Sequence, residues 1–475
     1  MTGTAISTPA ASAARRGLGF RALFAAAIGV IVAQIGMVSV LQGLGIAGWG
    51  FVVALGIAFA LALANALAYA ELSLMLPSAG SLSTFAEAAL GNFPAILLVF
   101  AGYITPAIFG LPAELILVDQ IVAQALPVAL PPFAWAVALV VVFAALNVLG
   151  TDVFARVQTA LGFTVLAFLL VTGAAALLGG GVTAGAGGVA PAAAAPEVAM
   201  ATLSRDTVVL GIVALAFWIF MGIEFVTPLV TEAADARRDL PRAMVLGLVA
   251  IVVAELLFAL GAARYLTREQ LATSATPHLD AVVAVFGPHA KSWFAALALV
   301  ASASLVNTVL AAVPRMLWGM AMNGQVFPVF KRLHPRHGTP VAAIVFVAAL
   351  PLAGLAWSGG SVESILPLMI AASMAWLFAY MLAQVSLLVL RRRHPEWPRP
   401  FRVPGAPFVP LAAIAGMAVV VANGSPAPEL TPQIVRYTGI VLGVFALVGA
   451  LWVKLAMKRG LFEPVEPELA SLRRD

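Results

Sequence analysis

The sequence predicts an all-α membrane protein with twelve transmembrane helices. Of its 475 residues, 62% are hydrophobic and only 10% are charged, whereas a soluble domain has about 25% charged residues. The apolar runs are about 20 residues or longer, which matches a hydrocarbon core of roughly 30 Å. Because the shortage of charge extends along nearly the whole chain, we expect many crossings of the bilayer and not a soluble domain on a single anchor.

The apolar runs divide the chain into two halves, joined by a Gly/Ala/Pro-rich stretch at 179–198 that predicts a flexible loop. The predicted spans are 20–42, 47–74, 93–122, 132–150, 157–179, 206–230, 242–265, 291–319, 340–358, 362–390, 409–423 and 434–457. The predicted organisation is a disordered cytoplasmic tail (1–19), a first five-helix repeat (20–180), an extracellular loop (181–205), a second, inverted five-helix repeat (206–393), a loop with helices 11 and 12 (394–457) and a cytoplasmic tail (458–475).

Positive charge predicts the orientation. One set of loops and tails holds most of the Lys and Arg residues, and the opposite set holds only Arg205, Arg264, Arg268, Lys291 and Arg436. Basic residues stay on the cytoplasmic side, so both termini are predicted to be cytoplasmic, in the inner (cytoplasmic) membrane of a bacterium. The N-terminus resembles the start of a signal peptide, but the apolar run that follows is too long for one, which favours a retained first span.

Composition also argues against several classes of function. The chain has no cysteine, which excludes disulfides, thiolate metal sites and cysteine nucleophiles. Its five histidines lie in or near loops and predict no metal cluster, and no P-loop pattern indicates ATP-driven transport. The net charge of +5 is spread over short loops, so no nucleic-acid partner is expected. We find no metal or nucleophile constellation for an enzyme and expect none.

An odd number of spans in each half inserts the second half upside down, the inverted-repeat plan of many secondary transporters. Spans one and six then correspond. Gly36 lies fifteen residues after Arg21, Gly222 lies sixteen after Asp206, and each glycine stands between Ile and Met. A mid-span glycine lets the helix open, and the freed main-chain groups then need a ligand, an ion, water or protein. The alternative is that both glycines only allow close helix packing.

Opened helices suit a substrate that carries both charges of an amino acid. Half-helix N-termini favour a carboxylate, and the facing C-termini favour an ammonium group or a metal cation. Trp218 is a candidate to close over the substrate and hold its cation by cation–π attraction, or else a packing aromatic. Gln34 is a candidate to bond the substrate or to support the opened backbone, or else it makes an interhelical hydrogen bond.

Three glutamates lie in mid-span, where a carboxylate is costly and by default indicates a functional site. They are Glu114, Glu224 and Glu255. If Glu114 and Glu224 face one cavity, the site is acidic and favours a cationic or amine substrate. Glu71 ends the second span and is expected at the membrane interface.

Several stretches resemble the amino acid–polyamine–organocation (APC) superfamily over nearly the whole chain. AYAELSLMLPSAGSLSTFAEAALG resembles the end of its second span and the following loop, Asn147–Gly150 with Arg156–Gln158 its fourth-to-fifth link, and FMGIEFVTPLVTEAADARRDLPRA its sixth span and loop. The most specific matches are PRMLWGMAMNGQVFPVFKRLHPRHGTPVAA, similar to the eighth span, and RRRHPEWPRPFRVPGAPFVP, similar to the tenth-to-eleventh loop.

The resemblance implies a LeuT-type fold: a five-plus-five inverted repeat with spans one and six unwound at the substrate, plus two peripheral helices. It also implies transport of amino acids, amines or polyamines by alternating access. Trp218, Phe220, Gly222 and Glu224 follow the order of the sixth span in arginine/agmatine-type antiporters. There the tryptophan covers the substrate and the glutamate shapes the pocket.

Two departures from the family bear on substrate and coupling. Where the first span usually has a Gly-Ser-Gly-Ile type motif, this chain has Ala33-Gln34-Ile35-Gly36, which puts α-carboxylate recognition in doubt. Some proton-coupled members place a lysine in span five, and residues 157–180 contain none. The candidate Na⁺ ligands in span eight are Ser304 and Thr308, with Ser302 and Asn307 beside them, or all four only pack between helices.

The function predicted from the sequence is a secondary active transporter, permease or exchanger, of amino acids or related amines. Alternatives are a polyamine or simple-amine permease with an acidic pocket and a non-transporting amino acid sensor. No cofactor is expected, with H⁺ or Na⁺ coupling open. The expected partners are the small-molecule substrate and the lipid bilayer, and the chain is a monomer or a homodimer. The predicted substrate-binding residues are Ala33, Gln34, Ile35, Gly36, Met37, Glu114, Trp218, Phe220, Gly222 and Glu224.

Overall fold

A computed structural model describes residues 17–78, 80–125, 131–179, 206–424 and 429–466. Regular structure in these ranges is helical, apart from one isolated bridge between Leu18 and Ala233. The predicted flexible link at 179–198 lies almost entirely outside the described residues. The all-helical class is confirmed.

Seventeen α-helices follow one another along the described chain. They are α1 Phe20–Ile28, α2 Gln34–Ala47, α3 Trp49–Met75, α4 Leu82–Leu90, α5 Asn92–Val99, α6 Thr105–Ala125, α7 Ala134–Val148, α8 Thr151–Leu177, α9 Asp206–Phe217, α10 Ala236–Ala262, α11 Arg268–Thr273, α12 Pro277–Phe286, α13 Ala290–Met322, α14 Val341–Ser358, α15 Ile365–Arg393, α16 Phe408–Asn423 and α17 Thr431–Leu451.

Nine helical segments of the described chain are long and apolar enough to cross a membrane. They are Trp49–Met75, Asn92–Ala125, Thr151–Leu177, Gly211–Glu232, Ala236–Ala262, Ala290–Met322, Val341–Ser358, Val362–Arg393 and Thr431–Met457. Each lies on a predicted span. The other three predicted spans fall on shorter helices: the pair α1 and α2, then α7, then α16. The chain is therefore a multi-pass helical protein, and the number of twelve crossings stays a prediction.

The first predicted span is broken between α1 and α2. Helix α1 ends at Ile28, and α2 begins at Gln34 after Ala33, whose extended backbone (φ −82°, ψ 160°) leaves the helix. Gly29, directly after α1, allows close packing at this break, because a Cβ there would lie 2.1 Å from Thr308 Oγ1. Gly36, where the sequence placed the opening, lies inside α2 instead, with its N–H bonded to the Ala33 carbonyl.

The second break lies on the sixth predicted span. After α9 the chain makes a 3₁₀ turn at Trp218–Phe220, then a second 3₁₀ stretch at Ile223–Glu232. Gly222 joins them at φ +107°, a conformation that side chains disfavour. A Cβ at Gly222 would also lie 2.4 Å from Val30 Cγ1. The two breaks therefore touch, in the middle of the bundle.

Ionic contacts tie the helices together at the end of the bundle that carries Gly17–Gly19. The Glu71 carboxylate, expected at the interface, is fully buried and pairs with Arg391 and Arg399, and Val403 N–H donates to it at 2.6 Å. Nearby, Leu18 bonds to the main chain of Glu232 and Ala234, at 2.8 Å and 2.9 Å.

Candidate functional site

A small cavity lies between the two breaks. Its volume is about 20 Å³, room for about one water molecule. The lining comes from both interrupted helices, from α6 and the π-helical turn Phe100–Ile104 that precedes it, and from α13 and α15. It consists of Val30, Ile31, Tyr103, Pro106, Ala107, Gly110, Leu111, Trp218, Met221, Phe225, Leu305, Val309 and Trp376. The walls are apolar and aromatic, as in most small-molecule sites.

Trp218, predicted to cover a substrate, lines this cavity. Its ring lies against Gly110, where a Cβ would come within 2.7 Å of Cη2, and its centroid lies 6.3 Å from that of Trp376 in an edge-to-face arrangement. Gly110 therefore makes the room that the indole occupies. The two tryptophans form adjoining walls of the cavity.

Glu224 lies behind the aromatic walls. Its side chain is fully buried and accepts three hydrogen bonds, from Tyr103 Oη at 3.1 Å, Trp376 Nε1 at 2.9 Å and Tyr380 Oη at 2.6 Å. Tyr103 and Trp376 line the cavity themselves, while Glu224 does not. The carboxylate of Glu224 therefore lies outside the cavity lining, and it is linked to the cavity by its hydrogen bonds with Tyr103 and Trp376. The sequence reading missed all three aromatic donors, and the one available signal was the i, i+4 spacing of Trp376 and Tyr380 in an apolar helix.

Glu114 caps the N-terminus of α2. Its Oε1 accepts the N–H of Gln34 at 3.0 Å, and its Oε2 accepts the N–H of Ile35 at 2.8 Å. The Ser302 hydroxyl donates to Oε1 as well. Ala33 has no side-chain acceptor for the first amides of α2, so a carboxylate from α6 supplies what a capping residue normally would.

Gln34 extends this network outward. Its Nε2 donates to Ser302 Oγ at 2.7 Å, and its Oε1 lies 3.2 Å from His278 Nε2 on α12. The side chain of Gln34 thus makes interhelical hydrogen bonds to α13 and α12, which was one of the alternatives for this residue, and its contact with a substrate stays a prediction. Burial lowers the pKa of His278 to about 3, so the imidazole is neutral and donates from Nε2 to the Gln34 oxygen.

The candidate Na⁺ ligands Ser304 and Thr308 are hydrogen-bonded within the protein at the first break. Gln158 Nε2 donates to Ser304 Oγ at 2.7 Å and to the Ala25 carbonyl at 3.3 Å, and Ser304 Oγ donates to the Gly29 carbonyl at 3.0 Å. Thr308 donates to the Ser304 carbonyl at 2.9 Å. The carbonyls at the end of α1 therefore have protein donors.

The remaining predicted residues are buried around the breaks without lining the cavity. Met37 and Gly36 lie inside α2, and Phe220 packs edge-to-face on Phe59 with the centroids 5.7 Å apart. Glu255 is fully buried, its Oε1 lies 3.3 Å from where a Gly36 Cβ would stand, and neither oxygen has a hydrogen-bond partner among the described residues. Of the predicted set, the structure brings Trp218 to the cavity wall and Glu114 and Glu224 to its surroundings.

The fold is that of helical membrane transporters. Crystal structures of a manganese transporter from Eremococcus coleocola superpose with a TM-score of 0.60, covering 92% of this chain and 94% of that one. At 13% sequence identity, the likeness is one of fold alone.

The sequence relationship is closer to amino acid carriers. The family model for amino acid permeases matches residues 18–446, and the chain belongs to this family, within the APC superfamily. It is 24% identical over 220 residues to the branched-chain amino acid permease BcaP of Bacillus subtilis, over 44% of each chain. It is 29% identical over 188 residues to cationic amino acid transporter 4 of Mus musculus, over 38% of this chain and 27% of that one. Each match spans less than half the length of the relative.

Proposed function

We propose that the protein is a secondary active transporter that carries amino acids or related amines across the cytoplasmic membrane by alternating access. The observation that carries this proposal is the cavity between the two breaks, walled by Val30 and Ile31 of the first and by Trp218 and Met221 of the second. The two main-chain breaks touch each other at Gly222 and Val30. A substrate site between interrupted helices requires such adjacent breaks.

Trp218 is the lid of this site in our proposal. The cavity holds about 20 Å³, too little for an amino acid, so a substrate enters only when the walls separate. An indole that turns away from Gly110 widens the cavity on one side without unfolding a helix. When it closes over a bound ammonium group, the cation–π contact contributes about 2 kcal/mol in a desolvated site.

Release toward the cytoplasm would pass the end of the second interrupted helix. There Glu232 pairs with Arg315 at 3.2 Å, and Arg315 also donates to Thr151 at 2.7 Å. Leu18 is bonded to the same segment, and a cleft of about 620 Å³ opens beside these contacts. Breaking the Arg315–Glu232 pair and lifting Leu18 would join the central cavity to this cleft, with the orientation that the positive-inside rule predicts.

The proposal is tested by counterflow in proteoliposomes loaded with unlabelled substrate. The names of the relatives make leucine and arginine the first substrates, with isoamylamine and agmatine as their decarboxylated forms. We expect uptake of at least one labelled compound. Trp218→Ala should lower the rate about tenfold or more, the equivalent of about 1.4 kcal/mol, while Trp49→Ala, at a tryptophan 42% exposed on α3, should stay within about twofold. Equal losses in both variants, or no counterflow with any compound, would contradict the proposal.

A second candidate, a permease for simple amines or polyamines, is favoured by the contacts of Glu114 with the N-terminus of α2. This candidate differs from the first in substrate and not in the transport cycle.

A further inference from the structure

Glu114 occupies the N-terminus of α2, next to the first break. The N-terminus of a helix attracts anions, because its first N–H groups are free and its dipole is positive there. Here the N–H groups of Gln34 and Ile35 point at the two carboxylate oxygens of Glu114, at 3.0 Å and 2.8 Å. The end of α2 that adjoins the break is therefore neutralised by a side chain of the protein itself.

The carboxylate of Glu114 is held in place by several hydrogen bonds. Glu114 is fully buried, and Ser302 donates to the same oxygen as Gln34 N–H. Ser302 is held in turn by Gln34 Nε2 at 2.7 Å. All the partners of Glu114 are donors, which is the surrounding of an ionised carboxylate. Displacing it would leave a buried charge without partners, at a cost of several kcal/mol.

The cavity walls suit a positive charge. Tyr103 and Trp376 both donate hydrogen bonds to Glu224, and donation to an anion increases the electron density of their rings. Trp218 adds a third aromatic wall, and Phe225 a fourth. Aromatic faces of this kind bind organic ammonium groups. Among the described residues, the cavity lining contains no Lys, Arg or His to repel one.

The charge balance points the same way. Glu114 and Glu224 are both fully buried, and no ion pair in the described part of the chain joins either of them to a basic side chain. Buried carboxylates are stabilised by a nearby cation. A substrate with an ammonium group supplies that cation, whereas a zwitterion adds another carboxylate that finds the amides of α2 already bonded.

We propose that the central cavity takes an organic ammonium compound that lacks a carboxylate, because Glu114 fills the carboxylate position from within the protein. This inference rests on the proposed transport function and names its substrate class. Glu114 is then the residue that sets specificity: it excludes α-amino acids from the end of α2 and leaves the aromatic cavity for the ammonium group and its alkyl chain.

The test compares each amino acid with its own decarboxylation product. The pairs are leucine and isoamylamine, arginine and agmatine, ornithine and putrescine, and serine and ethanolamine, so that the side chain is constant within a pair. Binding to the purified full chain is measured by the rise in melting temperature with ligand concentration. We expect the amine of at least one pair to bind about tenfold or more tightly than its amino acid, and no amino acid to bind more tightly than its amine.

The variant Glu114→Ala weakens the preference for the amine if the inference holds. It frees the N–H groups of Gln34 and Ile35 for a substrate carboxylate, so the ratio of amine to amino acid affinity should fall about tenfold or more. If Glu114→Ala does not fold, Glu114→Gln is used, and the comparison within the wild type stands without any variant. The matched control is Asp119→Asn, an acid on the same helix that lies by the main-chain N–H groups of Phe133 and Ala136. It should leave the ratio unchanged.

Each outcome has a separate meaning. Wild-type protein that binds or exchanges amino acids as tightly as their amines overturns the inference and leaves the transport function standing. The same holds if Glu114→Ala and Glu114→Gln keep the wild-type ratio. If no member of any pair binds or undergoes counterflow, both the inference and the proposed function fail.

Discussion

The two breaks in the helices are held open by different means. At the first, between α1 and α2, side chains from other helices satisfy the main chain: Glu114 accepts from the amides of α2, and Gln158 and Ser304 donate to carbonyls of α1. At the second, the main chain turns at Gly222, at φ +107°, and a single side chain from another helix bonds there, with the Gly222 N–H donating to Tyr380 Oη at 3.3 Å. Its acidic residue, Glu224, accepts hydrogen bonds from three aromatic side chains.

The difference separates two tasks. Polar groups fixed from outside make the first break a rigid, neutralised end, which suits selection by charge. In the proposed transport cycle, the second break, where Trp218 and Glu224 flank Gly222, is the element that moves. The predictions that follow test this division of roles, in order of the size of the expected effect.

Glu224→Leu should cause the largest loss of stability. It leaves the donors of Tyr103, Trp376 and Tyr380 buried without an acceptor, at about 1–3 kcal/mol each, or about 3–9 kcal/mol in all. Glu224→Gln keeps one carbonyl oxygen and should cost about a third of that. Melting temperatures of the three proteins in detergent measure the effect. A Glu224→Leu protein as stable as the wild type would mean that Glu224 does not hold the second break.

Gly222→Ala should come next. A side chain at positive φ costs about 1–3 kcal/mol, and the clash with Val30 adds about 1–3 kcal/mol. Adding Val30→Gly should recover the second part only, since it removes both Cγ1, 2.4 Å from the new Cβ, and Cβ, 2.6 Å from it. Gly36→Ala is the matched control inside α2, where the nearest atoms lie at 3.3 Å. Equal melting temperatures for Gly222→Ala and Gly36→Ala would remove the distinction between the two glycines.

Acid should weaken the outer support of the first break. Burial lowers the pKa of His278 to about 3, so below about pH 6.5 the unfolded chain takes up a proton at this imidazole and the folded chain does not. The contribution of neutral His278 to the free energy of unfolding is fully present above about pH 6.5 and is lost as the pH falls below it, by about 1.4 kcal/mol at pH 5.5. His278→Asn should reduce the slope of melting temperature against pH, while His289→Asn, at an exposed histidine, should not. An unchanged slope in His278→Asn would contradict this reading.

Sodium should have the smallest effect on ligand affinity, because main-chain carbonyls at the end of α1 already accept hydrogen bonds from protein side chains. A hard cation binds oxygen lone pairs, but the amide N–H of Gln158 points at Ser304 and Ala25. Replacing Na⁺ by K⁺ should therefore change ligand affinity by less than about twofold. A tenfold dependence on Na⁺ would show that the ion displaces Gln158, and would make the first break the coupling site.

The sequence predicted the fold class, the region of the second break and Trp218, because each leaves a local mark. A glycine and a carboxylate inside an apolar run are visible without a structure. Helix number is less visible, since α7 and α16 are short and the first span is divided. The match with Gly222 favours Gly36 as the site of the first break, but Gly36 lies inside α2. The glycine at the break is Gly29, where any side chain would collide with Thr308 and Gln158.

The partners of the buried acids could not be read from the sequence. Glu114 bonds to main-chain amides 79 and 80 residues away, and every residue has such an amide, so no side-chain pattern marks them. Glu224 bonds to Tyr103, Trp376 and Tyr380, which look like ordinary aromatic residues of membrane helices. Whether two acids face one cavity depends on the rotation of each helix, and here both lie behind its walls.

The most direct test of the account is protection of a cavity residue by substrate. The chain has no cysteine, so Ala107→Cys places a single thiol in the lining, and Leu333→Cys places one at the exposed cleft beside Arg315 as a control. In membranes treated with a small thiol reagent, we predict that Ala107→Cys reacts slowly, as the walls open, and that a transported amine slows it further. Leu333→Cys should react without such protection. If a compound that the protein transports leaves the labelling of Ala107→Cys unchanged, the substrate does not pass between the two interrupted helices.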